Sequence, residues 1–512
     1  MLKTAIKKGE LWWGGAIHDG GRMPFDESSS YTIDLATTSR GNQSAPFFLS
    51  TAGRYIWSEK PFQISFSNGW IFLEGEDVRL EMAECPTLSA AYAQAGERYF
   101  SFGEELPPPE FFTCPQYNTW AELTYGQNQK SVLEYARSAV ENGYKPGILM
   151  IDDMWQKDYG EWEFERERFP DPSTMMEELR RLGFHVMLWI VPYLSPDGPS
   201  FRQAAEDPSR LIRRKNGDPV ILKWWNGYSV VLNMRSDGDQ RWLLDCANRL
   251  MKTYGIDGFK FDGGNLEDLL PLVDEGLEPA EMSMAYHTFA GDRFAYHEFK
   301  DTWKCGGRPY IHRLRDKLHT WEKGGLADLI PDAIALSLTG HRYICPDMVG
   351  GGEWQCFREG SALDEELIVR FAQCSALFPM IQFSVAPWRV LNQENQKYVY
   401  EAQCLHNSLG REIYMLVQQS TVSHKPILRS LEYSYPNQGY ARIKDQFLLG
   451  ENIMAAPVLE KGAVGRKVVF PPGVWLDSQG GRIVGPDERW VSAPLDYLPW
   501  YQKADNRDII LK

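Results

Sequence analysis

The sequence predicts an α/β fold: a (β/α)8 barrel flanked by an N-terminal β-rich domain and a C-terminal β-sandwich. Three observations predict it. The chain has 512 residues, too many for one ordinary domain, and suits a barrel of roughly 250 residues or more with smaller modules attached. Between residues 111 and 410, continuous apolar runs alternate with amphipathic stretches, as in a parallel sheet covered on both faces. On either side of that span the apolar runs are short and separated by Gly, Ser, Asn and Asp turns, the mark of antiparallel β-structure.

Residues 1–110 are expected to be β-rich, with Arg54-Tyr55-Ile56-Trp57 and Trp70-Ile71-Phe72-Leu73 as strands. Pro107-Pro108-Pro109 then makes a stiff boundary. The barrel, 111–410, opens with a strand over Cys114–Trp120 and a helix over Gln129–Asn142. Gly147–Asp153 is a buried strand ending in two acids, followed by a helix over Ser173–Leu182 and a strand over His185–Pro192. The stretch 193–235 is too long for an ordinary connection and is read as a functional insertion. A helix over Asp239–Tyr254 leads to the strand at Gly258. Further strands over Tyr296–Lys300, Pro309–Arg313, His341–Cys345 and Pro379–Ser384 bring the count to eight. After Ser408 the chain is expected to return to β-type runs such as Lys467-Val468-Val469-Phe470 and Arg489-Trp490-Val491, so 411–512 is read as the β-sandwich.

Lys plus Arg number 54 against 69 Asp plus Glu, a net charge of −15. That argues against nucleic acid as a partner, which requires a basic footprint. No run approaches ~18 uninterrupted apolar residues, so no membrane span is expected. Met1 to Lys8 lacks the apolar run of a signal peptide, which makes the cytoplasm the default location. The eight cysteines form no C-x-x-C pair, so neither a zinc site nor a dense disulfide framework is suggested and no cofactor is implied. Aromatic content reaches 13%, with 18 Trp. Most of these fill a core, but ring faces also pack on the C–H faces of sugars.

Gly258-Phe259-Lys260-Phe261-Asp262-Gly263-Gly264 is the stretch that carries most chemistry. In a strand, Phe259 and Phe261 point one way and Lys260 and Asp262 the other. A carboxylate at the end of an apolar strand, before glycines that permit unusual backbone angles, is where such a barrel presents a catalytic acid. The competing reading is a helix cap. Acids recur near other strand ends, at Asp152, Asp153, Asp316 and Asp347, and paired carboxylates are what glycoside cleavage needs.

The order Ile151-Asp152-Asp153-Met154-Trp155, Trp189-Ile190-Val191-Pro192-Tyr193, Phe259 to Gly264 and Cys345-Pro346-Asp347-Met348-Val349-Gly350-Gly351 resembles glycoside hydrolase family 31. Asp445 to Gly450, Met454 to Val458 and Pro471-Pro472-Gly473-Val474-Trp475 resemble that family's region after the barrel. Lys223-Trp224-Trp225-Asn226-Gly227, Arg313-Leu314-Arg315-Asp316 and Trp321 look closest to the α-galactosidase-like branch that contains the myogenesis-regulating glycosidase. The resemblance implies Asp262 as nucleophile and Asp316 as acid/base in double displacement on a terminal α-linked hexose, α-galactoside first, in a small-molecule or oligosaccharide substrate. It implies Asp152 or Asp153 as a ligand of the far hydroxyls, Trp225 with Asn226 and Trp189 at the sugar, and Lys260 as a hydroxyl donor. Lys300, Arg313 and Asp347 complete the expected binding set. Only one of Trp224 and Trp225 is expected to face sugar.

Two departures bear on specificity. Lys300 stands where many members carry Arg, sixteen residues before the acid/base, and Arg313-Leu314-Arg315-Asp316 replaces a Trp-x-Gly-Asp pattern. Lys is a point donor where Arg is a planar fork. The same machinery also suits an α-glucoside, an α-N-acetylgalactosaminide, or a sulfoquinovoside held by Lys300, Lys304 or Arg308. Transglycosylation uses the same acids, and a silent sugar-binding protein is the alternative from another class.

Overall fold

All eight expected barrel strands form, and they share one sheet. They are β1 (Gln116–Asn118), β2 (Ile148–Ile151), β3 (His185–Ile190), β4 (Gly258–Phe261), β5 (Tyr296–Phe299), β6 (Ile311–Arg313), β7 (Tyr343–Cys345) and β8 (Gln382–Phe383). The computed structural model describes residues 2–37 and 39–504. Every pairing in this sheet is parallel, in the order β7-β6-β5-β4-β3-β2-β1-β8. A parallel bridge from Met348 to Gln382 brings the chain after β7 against β8 and nearly closes the ring.

The helices start and stop where local chemistry dictates. Asn128 caps Gln129–Glu141 in a reciprocal box with Ser131, and Asp171 caps Pro172–Arg181. Ser236 caps Asp237–Tyr254, which Gly255 ends at φ 70°. The four residues of β2 are all buried, because helices cover the outside while side chains fill the inside.

The insertion is itself ordered. A small antiparallel sheet of Tyr193–Leu194, Ile221–Trp224 and Gly227–Val231, with the last in the middle, holds a helix over Pro199–Ala205 between its first and second strands. Its tight hairpin places Trp225 and Asn226 at the tip.

The N-terminal part holds two four-stranded antiparallel sheets, and both Arg54–Trp57 and Trp70–Glu74 are strands as expected. A helix over Leu88–Tyr99 follows them. This part is fastened to the barrel through its loop at 39–44. Gln43 Nε2 donates to the Arg313 carbonyl at 2.8 Å, and Asn42 Oδ1 accepts from Arg315 N at 2.8 Å.

After Ser408 the chain does not go directly to strands. A helix, Gly410–Ser423, comes first, burying Ile413 and Val417. Their four-residue spacing is helical, so this stretch departs from the β-type runs expected there. Strands then begin at Leu428 and build a six-stranded antiparallel sheet. Leu448, Met454, Val468, Phe470 and Trp475 form its own core. Among the described residues, no helix is long and apolar enough to cross a membrane.

Candidate active site

The C-terminal ends of the barrel strands surround a cavity of about 330 Å³ lined by Arg40, Gly41, Trp120, Asp152, Asp153, Trp189, Trp225, Lys260, Asp262, Asn265, Lys300, Arg315 and Asp316. β4 explains the placement of the central group. Phe259 and Phe261 point outward, where both meet Phe294 (ring centroids 5.3 and 5.5 Å). Alternation then sends Lys260 and Asp262 into the cavity. Asp262 does not cap a helix: the next helical turn is Leu270–Glu275. Its Oδ1 accepts from the Gly263 amide at 3.0 Å and its Oδ2 from the Trp189 indole at 3.0 Å. Gly263 sits at φ 69°, and a Cβ there would lie 2.8 Å from the Tyr193 ring, so the turn that aims Asp262 requires glycine.

Lys300, just past β5, binds two carboxylates at once. Its Nζ lies 3.4 Å from Asp262 Oδ1 and 3.2 Å from Asp316 Oδ2. That limits the separation of these two oxygens to less than ~7 Å, which admits the ~5–5.5 Å of a retaining pair and excludes most of the ~6.5–9.5 Å range of inverting pairs. Asp316 also accepts from Arg313 Nη1 at 2.8 Å. Arg313 therefore faces its sequence neighbour, which loop residues so close together need not do. Lys317 does not: it pairs with Asp332.

These cations set the charge states. Burial pushes the Asp262 carboxyl up, but Lys300 and then Lys260 outweigh it and hold it below the usual carboxylate range. Burial likewise opposes ionisation of Asp316, yet Lys300 and Arg313, with Lys260 behind them, hold it well below that range. The Asp316 side chain is 43% exposed, so water screens the two cations, but both touch the carboxylate and the direction stands.

At the floor, Lys260 Nζ donates to Asp152 Oδ2 at 2.7 Å, both groups nearly fully buried. Asp153 is fixed instead by neutral donors: Met154 N (2.7 Å), Gln156 Nε2 (2.8 Å), Asn226 Nδ2 (2.7 Å) and Tyr159 OH (3.0 Å). Burial raises its pKa, with Asp152 adding to the effect against those hydrogen bonds. Trp224 is buried, whereas Trp225 is 48% exposed on the cavity wall, with Lys300 Nζ 5.3 Å from its ring centroid.

Eight of the expected site residues thus line the cavity: Asp152, Asp153, Trp189, Trp225, Lys260, Asp262, Lys300 and Asp316. Asn226, Arg313 and Asp347 stand behind it. Asn226 bonds Asp153 and Tyr159. Arg313 is fully buried between Asp316, Asp347 and Glu298. Asp347 is fully buried at φ 141°, a conformation strained for a non-glycine residue, and is held there by Arg313 and the Lys317 amide. Lys304 and Arg308, considered for a sulfonated sugar, lie outside the cavity and pair with Glu59 and Asp292.

Sequence reading missed Arg40, Gly41, Trp120, Asn265 and Arg315 as lining residues. Trp120 comes two residues after β1, Asn265 follows the double glycine, and Arg315 precedes Asp316, so strand-end position could have found these three. Arg40 and Gly41 come from the N-terminal part and carry no local signal.

Residues 100–299 match the glycosyl hydrolases family 31 TIM-barrel domain, and residues 424–506 match the glycosyl hydrolase family 31 C-terminal domain. The myogenesis-regulating glycosidase of Mus musculus is 32% identical over 398 residues, covering 75% of this chain and 55% of its own. The alpha-xylosidase XylQ of Lactiplantibacillus pentosus is 24% identical over 497 residues, 89% of this chain and 62% of its own. The chain thus spans between half and two thirds of the length of these curated relatives. Among solved structures, a GH31 alpha-xylosidase from a soil metagenome complexed with xylose superposes with a TM-score of 0.83 at 18% identity, covering 100% of this chain and 80% of that one. With both domain matches falling on the barrel and the sheet that follows it, the chain belongs to glycoside hydrolase family 31.

Proposed function

We propose that this chain is a retaining α-glycosidase that hydrolyses a terminal α-linked hexose by double displacement, with α-galactoside the first sugar to test. The observation that carries the reading is the pair Asp262 and Asp316, set on one ammonium within the cavity. Asp262 is ionised and attacks the anomeric carbon as the glycosidic C–O bond breaks, while Asp316 gives its proton to the departing oxygen. Water then enters, passes a proton back to Asp316, and attacks the anomeric carbon, releasing Asp262 and the sugar.

In the free protein Asp316 is held ionised, so its proton must be acquired in the complex. A sugar seated between the carboxylates draws the Lys300 ammonium onto its hydroxyls and expels water. Both changes raise the Asp316 pKa. Covalent capture of Asp262 later removes its negative charge and lets that pKa fall again, as the base role requires. Asp152 and Lys260 offer an acceptor and a donor to the far hydroxyls, and Trp225 forms a wall. The Trp189 indole orients Asp262, Asn226 orients Asp153, and Arg313 ties Asp316 to Asp347. The carboxylates do this chemistry without a cofactor.

Support for galactose is the branch resemblance at Lys223–Gly227 and Arg313–Asp316. Of the cations considered for a sulfoquinovoside, Lys304 and Arg308 lie outside the cavity and Lys300 remains inside it. The test is hydrolysis of p-nitrophenyl α- and β-glycosides of galactose, glucose, xylose, N-acetylgalactosamine and sulfoquinovose. Release from an α-glycoside, abolished in Asp262→Asn, is the expected result. Activity confined to β-glycosides, or activity that survives Asp262→Asn, overturns the mechanism.

A further inference from the structure

The carboxylates lining the cavity already have partners. Asp152 has Lys260, Asp153 has four neutral donors, and Asp262 and Asp316 share Lys300, with Arg313 on Asp316. Two further cations line the same cavity, Arg40 and Arg315. Among the described residues, neither guanidinium forms an ion pair with a carboxylate.

Both arginines are nevertheless held in place by their backbones. The Arg40 amide donates to Glu267 from a left-handed conformation, φ 50°. Glu267 also accepts from the amide and hydroxyl of Ser39, each at 2.6 Å. The Arg315 amide donates to Asn42 Oδ1 at 2.8 Å, and its Nη1 reaches the Arg40 carbonyl at 3.4 Å. The loop of the N-terminal part and the loop after β6 thus fasten each other across one side of the cavity.

Depth places this pair relative to the reaction. Asp152, Lys260 and Asp262 are each at most 6% exposed, Asp316 is far more open, Arg315 is half-buried and Arg40 is exposed. The sugar ring occupies the deep end, and Asp316 marks the glycosidic oxygen. Arg315 stands next to Asp316 in sequence and, with Arg40, lines the open part of the same cavity, the side on which a leaving group attached at that oxygen would sit.

We propose that Arg40 and Arg315 form a binding site for an anionic leaving group, one bearing a carboxylate, phosphate or sulfate. The proposal rests on the glycosidase reading above. Guanidinium is a planar fork of donors suited to such oxyanions. The backbones that carry both arginines are fixed before substrate arrives, and the Arg315 guanidinium is tied to the Arg40 carbonyl, which lessens the ordering to be done on binding. A protein of net charge −15 otherwise disfavours an anion near its surface, so selectivity for one has to be local.

The test compares 4-carboxyphenyl with 4-carbamoylphenyl α-glycosides of the sugar identified by the panel. The readout is the ratio of the two kcat/KM values, in which differences common to both substrates cancel. Arg40→Gln, Arg315→Gln and the double variant are measured beside the unaltered protein. The carboxylate preference is expected to fall roughly tenfold in the double variant and about threefold in Arg40→Gln, and to shrink in the unaltered protein as salt rises. Arg40→Gln guards against misfolding, because the Arg40 side chain is exposed and its anchoring bonds are backbone ones. A ratio that is the same in all proteins overturns the proposal. So does a loss of preference for p-nitrophenyl α-sulfoquinovoside over α-glucoside, which puts the anion on the sugar. Hydrolysis of the neutral glycoside that depends on Asp262 preserves the glycosidase reading when the ratio is flat, whereas no hydrolysis of any glycoside overturns both.

Discussion

Asp262 and Asp316 are bound to the same ammonium, with Lys300 Nζ 3.4 Å from one and 3.2 Å from the other. They leave the barrel from β4 and from the loop after β6, so a single lysine after the intervening strand sets both their spacing and their charge.

Removing that lysine moves both limbs of the pH profile. Lys300 lowers the pKa of Asp262 and of Asp316. In Lys300→Met both rise: the nucleophile ionises at higher pH, shifting the acid limb up, and the acid/base stays protonated to higher pH, shifting the alkaline limb up. A kcat/KM profile on the preferred p-nitrophenyl glycoside is expected to move to higher pH, with a lower maximum. A fixed profile would show that Lys300 does not control these groups.

The two acids are expected to separate by leaving group. Asp262→Asn should lose about 10^4-fold or more in kcat on every substrate. Asp316→Ala should lose only modestly on p-nitrophenyl glycosides, which need little protonation, but roughly 10^2–10^4-fold on an alkyl glycoside. Equal losses on both substrates would remove Asp316 from the acid role.

The Lys260–Asp152 pair is buried at 2.7 Å. Lys260→Met strands the Asp152 carboxylate and should cost about 3 kcal/mol or more, read from urea unfolding of the barrel transition. Adding Asp152→Asn removes the stranded charge and should recover a large part of that loss. Additive costs in the double variant would mean that the two groups are not coupled.

Trp225 offers a contrasting case, being half exposed at a hairpin tip. Trp225→Ala should raise KM about tenfold while leaving the melting temperature unchanged. A fall in melting temperature without a change in KM would make it a packing residue.

Asp268 predicts a pH-dependent stability. Burial, with Glu267 and Asp262 nearby and against a hydrogen bond from Tyr193, pushes its carboxyl up to about 7. The folded state therefore holds a proton that the unfolded chain releases near pH 4. The stability from that difference is complete below the unfolded pKa and is lost as pH rises through about 7. The advantage of Asp268→Asn over the unaltered protein should grow by about 2–3 kcal/mol from pH 5 to pH 8, measured by urea unfolding. A gain that does not change with pH would place the Asp268 titration elsewhere.

The barrel was legible in the sequence alone, because eight apolar runs separated by helical spacing admit few other folds. So was Asp262, because strand alternation fixes which side of β4 faces inward and the glycines fix the turn after it. The helix over Gly410–Ser423 was legible in principle, through the spacing of Ile413 and Val417, but its neighbours look equally like short β-runs. The relations between elements came only with the closed fold. Local spacing cannot show that Lys300 bridges two carboxylates, that Arg313 faces Asp316 while Lys317 turns away to Asp332, or that Lys304 and Arg308 leave the cavity. Still less can it show that Arg40 of the N-terminal part reaches the barrel mouth. Local structure follows from backbone sterics and hydrophobic period, both written in neighbouring residues. Charge pairing at a site follows from distances between loops far apart in sequence, and only the closed fold sets those distances.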